Sequence, residues 1–529
     1  MRPVRSMNSA GPAASKAGQV KMIMANEKQS IYEYMASQLK GNELPEEFSL
    51  PGEDGNSGPL KWADGAMDGI YIYHTEHGDL PDEARDDVAA AVKAASGGPG
   101  RDADLAFAEL AEKYQAIMLM DPLLDHIAAH QEELNAGNIY RFAIHLIVES
   151  SEREQVKLGL ILMQLFDTDV EVLRDIIRSI GLADEFTLYS MLDILHWKNA
   201  NEELFDLIRH VHGWGRIHLL ERLQADTEEI RQWILTEGIH NRIMPEYSAL
   251  TAFEKSGAED LLAAGEKLPA KVFASIGEIL VALLNESAVI GISGVDGAAG
   301  VLLHYLDQAA EQHLGIEDYK LLSKICYYTS VQAKESDDNY VWASLSDKAL
   351  ALLRSGEAES AVRNAVKTGD GVELAMALGI PYEKDIFLLI QRDFDRNYGY
   401  SSYLMGSPAW SEAVLDLYRK KIPWETLEDD PREEMGIGEK FAPYTKLDVL
   451  LQSMKGDCRT AGDILLKTLA APTIRSRYLT LECLKAWTAM AGQPLQKLSE
   501  RIYEKLQDVY AREPREDLKE EMRKLLEQE

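Results

Sequence analysis

The chain has 529 residues, 46% hydrophobic and 27% charged, enough apolar material for two to four domains or for one long repeat structure. Its 88 acidic against 55 basic residues leave a formal net charge of −33, which repels phosphate backbones and anionic lipid and so argues against nucleic-acid and membrane partners. The three cysteines, Cys326, Cys458 and Cys483, stand far apart with no CxxC pair and no nearby histidine, which excludes a disulfide framework and a zinc or iron–sulfur knot and fits the reducing cytoplasm.

Residues 1–25 are small, polar and weakly basic, without the apolar centre of a signal peptide, and read as a disordered leader. Helical periodicity begins near Asn26 and predicts a helix over Glu27–Leu39. From Gly41 to Gly78 the chain turns to proline, glycine and acidic residues. Within it, the run Ile70–Tyr73 is β-branched and aromatic, but a single strand has nothing to pair with, so the stretch is expected to be an ordered loop packed on helices. A helix over Pro81–Ala95, acidic in its first turn, and the break Ser96–Gly100 close an N-terminal helix and loop segment, 26–100.

Residues 101–330 repeat one pattern: an apolar stripe at helical spacing, then a short polar or glycine break. Val170, Leu173, Ile176, Ile177 and Ile180 form one stripe, Phe186, Tyr189, Leu192 and Leu195 the next, and Leu204, Phe205, Leu207, Ile208 and Val211 a third. Helix starts near Ile139, Val170, Asn201 and Thr227 recur at roughly thirty residues, the period of a helix-pair repeat. The predicted fold is therefore all-α, a HEAT/armadillo-like α-solenoid of helical hairpins with a mixed, loop-rich N-terminal segment. Asp226, three residues before Glu229, suggests a capping box. Pro269–Leu284 and Gly297–Leu314 read as an apolar helical hairpin, too often interrupted by glycine and acid to span a membrane. A C-terminal helical region, 331–529, carries an aromatic patch between Tyr398 and Trp424, an acidic loop over Glu428–Glu434 and a long amphipathic helix from Leu495 to Val509.

Motifs for chemistry are scarce. Gly291, Gly294, Gly297 and Gly300 recur every third residue after an apparent helix, which suits an inter-helix turn better than a dinucleotide loop. His126 and His130 share a helix face, and His196, His210, His212 and His218 gather along two helices, but neither HExxH nor a convincing Glu-x-x-His set accompanies them. No metal and no cofactor is assigned on this basis. Trp197, His210, His212, Trp214 and His218 lie near consecutive helix ends and are the expected binding residues, on the concave face where solenoids receive ligands. The residues thus predict a non-catalytic cytoplasmic scaffold or adaptor for a protein or peptide, with a preference for a basic one.

Phe48-Ser49-Leu50-Pro51, Lys61-Trp62-Ala63-Asp64-Gly65-Ala66-Met67-Asp68-Gly69 and His74-Thr75 together resemble the N-terminal signature of bacterial proteins that carry the name limonene hydroxylase. The resemblance implies a monooxygenase acting on a small terpene with a reduced nicotinamide cofactor. Oxygen activation needs haem, iron or flavin. The residues offer only Cys458, in Lys455-Gly456-Asp457-Cys458-Arg459, as a faint thiolate candidate, and no dinucleotide fold.

Overall fold

Apolar positions at helical spacing become helices along nearly the whole chain. A computed structural model describes residues 29–41, 43–51, 62–75, 80–335, 339–454 and 458–528. Among them there are no strands, only the isolated bridges Lys40–Glu43 and Glu434–Thr473, so the fold is all-α. The leader 1–25 and the first residues of the expected Glu27–Leu39 helix lie outside the described residues, and the helix there spans Ile31–Gln38 behind a Ser30 cap. None of the described helices is long and apolar enough to cross a membrane. The chain divides into two compact units, one ending at Gln308 and one starting at Ala309.

The first unit is built from antiparallel hairpins. Ala136–Glu149 packs on Arg153–Met163, Glu171–Gly181 on Asp184–Ile194, Ala200–Ile208 on Trp214–Arg222, and Glu228–Glu237 on Glu246–Ser256. Asn135 and Thr227 cap two of the first helices, each side chain accepting an N–H three residues on. Asp226 is not the cap expected from the sequence; its carboxylate instead accepts from the Asn201 side chain at 2.9 Å.

The two helices of each pair differ. First helices are amphipathic; Glu171–Gly181 buries only Leu173, Ile177, Ile180 and Gly181. Second helices are enclosed on nearly all sides: every residue of Arg153–Met163 from Val156 onward is buried. They also pack on one another in sequence, Ala116–Ala129 on Arg153–Met163, then Asp184–Ile194, Trp214–Arg222, Glu246–Ser256 and Ala270–Leu283. Within its own hairpin, Gly159 permits the close approach of Ala136–Glu149, since a Cβ there would lie 2.9 Å from Leu146 and Ile147.

The segment expected to be a loop is a helix, Ala66–His74. Gly65 turns the chain into it at φ 75°, and Asp68 sits in its first turn. The β preference of Ile70–Tyr73 yields to tertiary packing, because Ala66, Gly69 and Tyr73 face the second helices of the hairpins.

In the second unit, Ile316–Glu335 and Asn339–Leu353 form a long hairpin, and Ala442–Ser453 packs on Ile474–Ala491. Arg477 and Glu513, both fully buried, pair through two hydrogen bonds of 2.7 and 2.8 Å. The long terminal helix is broken: Leu495–Leu498 ends at Ser499, which then caps Glu500–Arg512.

Candidate functional site

The Ala66–His74 helix lies on the Asp184–Ile194 and Trp214–Arg222 helices like an internal ligand. Asp64 pairs with Arg153 at 3.0 Å, and the Gly65 N–H donates to Glu185 at 2.8 Å. Ala66 joins Trp214 and Ile217 in a small core closed by Tyr73, Ile243 and Tyr247. Gly69 lies flat against the Trp214 ring, where a Cβ would stand 2.2 Å from a ring carbon. The Tyr73 ring packs 5.9 Å from Trp214 and 6.1 Å from His218, and its hydroxyl donates to Glu221. The helical part of the segment that carries the resemblance therefore serves as packing on the second helices of this unit.

Beneath this helix sits a buried charge cluster. Lys157, 1% exposed, meets Glu185 at 2.5 Å, Glu154 at 2.8 Å and Asp68 at 3.0 Å. Burial alone would lower the lysine pKa, but the charges of Asp68, Glu185 and Glu154 hold it above the ordinary lysine range. Glu185, largely covered, is pulled below the usual carboxylate range by Lys157. Burial raises the Asp68 carboxyl to about 6 despite the Lys157 ammonium 3.0 Å away. Beside it the Tyr189 hydroxyl is pushed far up, by burial and then by the Asp68 charge.

At the rim of the inner-face helix a cleft of about 570 Å³ opens between the 43–48 segment, Asp64, the turn at Leu182–Asp184, and residues 210–213 and 242–243. A second cleft of about 490 Å³ shares Leu182 and His210 with it and runs on between the Glu171–Gly181 and Ala200–Ile208 helices. The two are lined by Glu43, Glu46, Asp64, Asp184, Asp175, Glu202, Glu203 and Asp206, against only Arg178 and Arg242. Asp184 accepts the N–H groups of Gly213 and Gly215 at 3.0–3.1 Å, yet burial and the nearby Asp64 charge raise it to about 6. Among the described residues Arg242 is the only non-glycine with positive φ, 59°, and its guanidinium reaches Glu46 at 3.3 Å. Such strain concentrates at functional sites.

The five sequence-derived binding residues separate into two groups. His210 and His212 line the clefts, His210 3.3 Å from Glu43, while His212 is lowered by burial and by Arg242. Trp197, Trp214 and His218 are 3%, 4% and 3% exposed and offer no concave surface to a partner, because nonlocal segments cover them. The Trp197 indole donates to Thr168 at 2.8 Å beneath the guanidinium groups of Arg174 and Arg178. Burial lowers His218 to about 4. Sequence reasoning missed Asp184 and Arg242. The sequence shows Asp184 only as an acid at a helix start, its partners Gly213 and Gly215 being brought to it by the fold, and Arg242 left no signal.

His126 and His130 stack at 4.3 Å, and no group of three potential metal ligands occurs among the described residues. Cys458 does not fit a haem thiolate: it is 1% exposed, with its Sγ 3.8 Å from the Cys483 carbonyl. A dinucleotide phosphate fits no better at the glycine turn, where Glu286 already accepts the N–H groups of Gly291 and Ser293. Comparison of the chain with known protein families, curated proteins and solved structures finds no match.

Proposed function

We propose that this protein is a non-catalytic α-helical-repeat scaffold that receives a basic peptide segment of a partner protein in the acidic trough of its first unit. The stacking of successive second helices supports an α-solenoid of the HEAT or armadillo kind, and the overall charge of −33 suits a cytoplasmic adaptor that avoids nucleic acid and membranes. The observation that carries the reading is the trough: eight carboxylates against two arginines along two clefts that meet at Leu182 and His210. Two clefts that share Leu182 and His210 suit an extended segment better than a compact substrate, and opposite charge would steer such a segment in. The monooxygenase implied by the resemblance is the lesser reading, since neither Cys458 nor the glycine turn has the geometry its cofactors need.

The test is fluorescence anisotropy with a labelled Lys/Arg-rich decapeptide at low salt. The exposed acids Glu43, Glu46 and Glu202 and the half-buried Asp206 are replaced together by Glu43→Gln, Glu46→Gln, Glu202→Gln and Asp206→Asn. Affinity is expected to fall by about tenfold or more, and wild-type binding to weaken as salt screens the charges. Equal affinity of the variant and the wild type overturns the reading.

A further inference from the structure

The second unit holds a cavity of about 780 Å³, and its charge runs against that of the chain. Its lining has four cations, Arg419, Lys467, Arg501 and Lys505, against three acids, in a protein with an excess of 33 acids. Two of the acids are already neutralised. Asp463 is gripped by Arg419 at 2.8 and 2.9 Å, and Asp429 by Lys505 at 2.6 Å and Arg512 at 3.1 Å. Those pairs hold both carboxyls below the ordinary aspartate range.

Lys467 and Arg501 are different. Both are exposed, and neither has a hydrogen bond or ion pair within the described structure. They extend from the Gly462–Thr468 and Glu500–Arg512 helices, which pack on each other, so two uncompensated cations face one space. The only uncompensated acid of the lining is Glu504, one turn along from Arg501. The other wall is apolar, formed by Leu466 and the half-buried Trp424. Trp424 spends its indole N–H on the Arg419 carbonyl at 2.9 Å, which fixes the ring and leaves its face as a packing surface.

We propose that this cavity is a binding site for a phosphorylated small molecule, its dianionic phosphate held by Lys467 and Arg501 and its ring or apolar body packed on Trp424. A phosphate matches two free cations where a carboxylate matches one, and the arginine fork suits phosphate oxygens. The volume lies within the range of about 300–1,000 Å³ common for small-molecule sites. The site lies in the other unit from the acidic trough and stands independently of the peptide reading.

Isothermal titration calorimetry on the full chain tests it, with adenosine monophosphate, inorganic phosphate and octaglutamate as probes. Adenosine monophosphate is expected to bind more tightly than inorganic phosphate, and more weakly as salt is raised. The Lys467→Ala/Arg501→Ala double variant, which breaks no side-chain hydrogen bond or ion pair of the described structure, should lose about tenfold or more in affinity. Glu504→Gln should tighten binding by about two- to threefold, an effect that a purely structural role would not produce. The proposal is overturned if neither phosphate probe binds, if the double variant binds as the wild type does, or if Glu504→Gln weakens binding. It is also overturned if octaglutamate outcompetes adenosine monophosphate, since the groove would then be a site for acidic peptides.

Discussion

Single residues in the first unit show which force prevails at each place. Lys157 is buried yet charged because three carboxylates surround it, so desolvation loses to Coulomb attraction there. At Asp68 the balance reverses: burial outweighs Lys157 and raises the carboxyl from 3.8 to about 6. The folded state therefore holds this proton more tightly than the unfolded chain, and between about pH 4 and 6 the fold loses stability as pH rises. Asp68→Asn removes the titration while Glu154 and Glu185 keep Lys157 paired. Urea melts at pH 4 and pH 7 should show the wild type losing about 2–3 kcal/mol relative to this variant across the interval. A relative gain by the wild type would mean that attraction to Lys157 dominates instead. None of this was legible in the sequence, because Asp68 and Lys157 meet only through the fold.

At the level of elements, the hairpins were legible because each stripe of apolar residues sits at helical spacing and each break is short. Of the stripe read in the sequence, Leu173, Ile177 and Ile180 are buried in the structure, while Ile176 is half-buried and Val170, at the cap, is exposed. The Ala66–His74 helix was not legible. Ile-Tyr-Ile-Tyr has strand-like chemistry, and what makes it helical is its seat on Trp214 and Ile217, distant in sequence. The same seat hides Trp214, which local sequence had placed at an exposed helix end. Gly69 tests this docking. In an ordinary helix interior Gly→Ala gains roughly 1 kcal/mol. Here the added methyl would meet the buried Trp214 ring at 2.2 Å, and overpacking costs about 1–3 kcal/mol. Gly69→Ala should therefore destabilise the protein in thermal or urea melts, and a stabilised variant would show that the helix is not seated on the tryptophan.

For the whole molecule, the acid excess was visible from composition, but its arrangement was not. The first unit gathers acids along one trough between loop 43–48 and the ends of successive hairpins, while its own Ala66–His74 helix covers the inner helices. The proposed binding surface therefore lies at the rim of that helix, at His210, His212 and Arg242, and not on the buried tryptophans. Hydrogen–deuterium exchange on the full chain, with and without a Lys/Arg-rich decapeptide, tests this most directly. Slowed exchange at residues 43–48 and 200–213 is the predicted footprint. Protection confined to the Ala66–His74 and Trp214–Arg222 helices, or to the second unit, would contradict it.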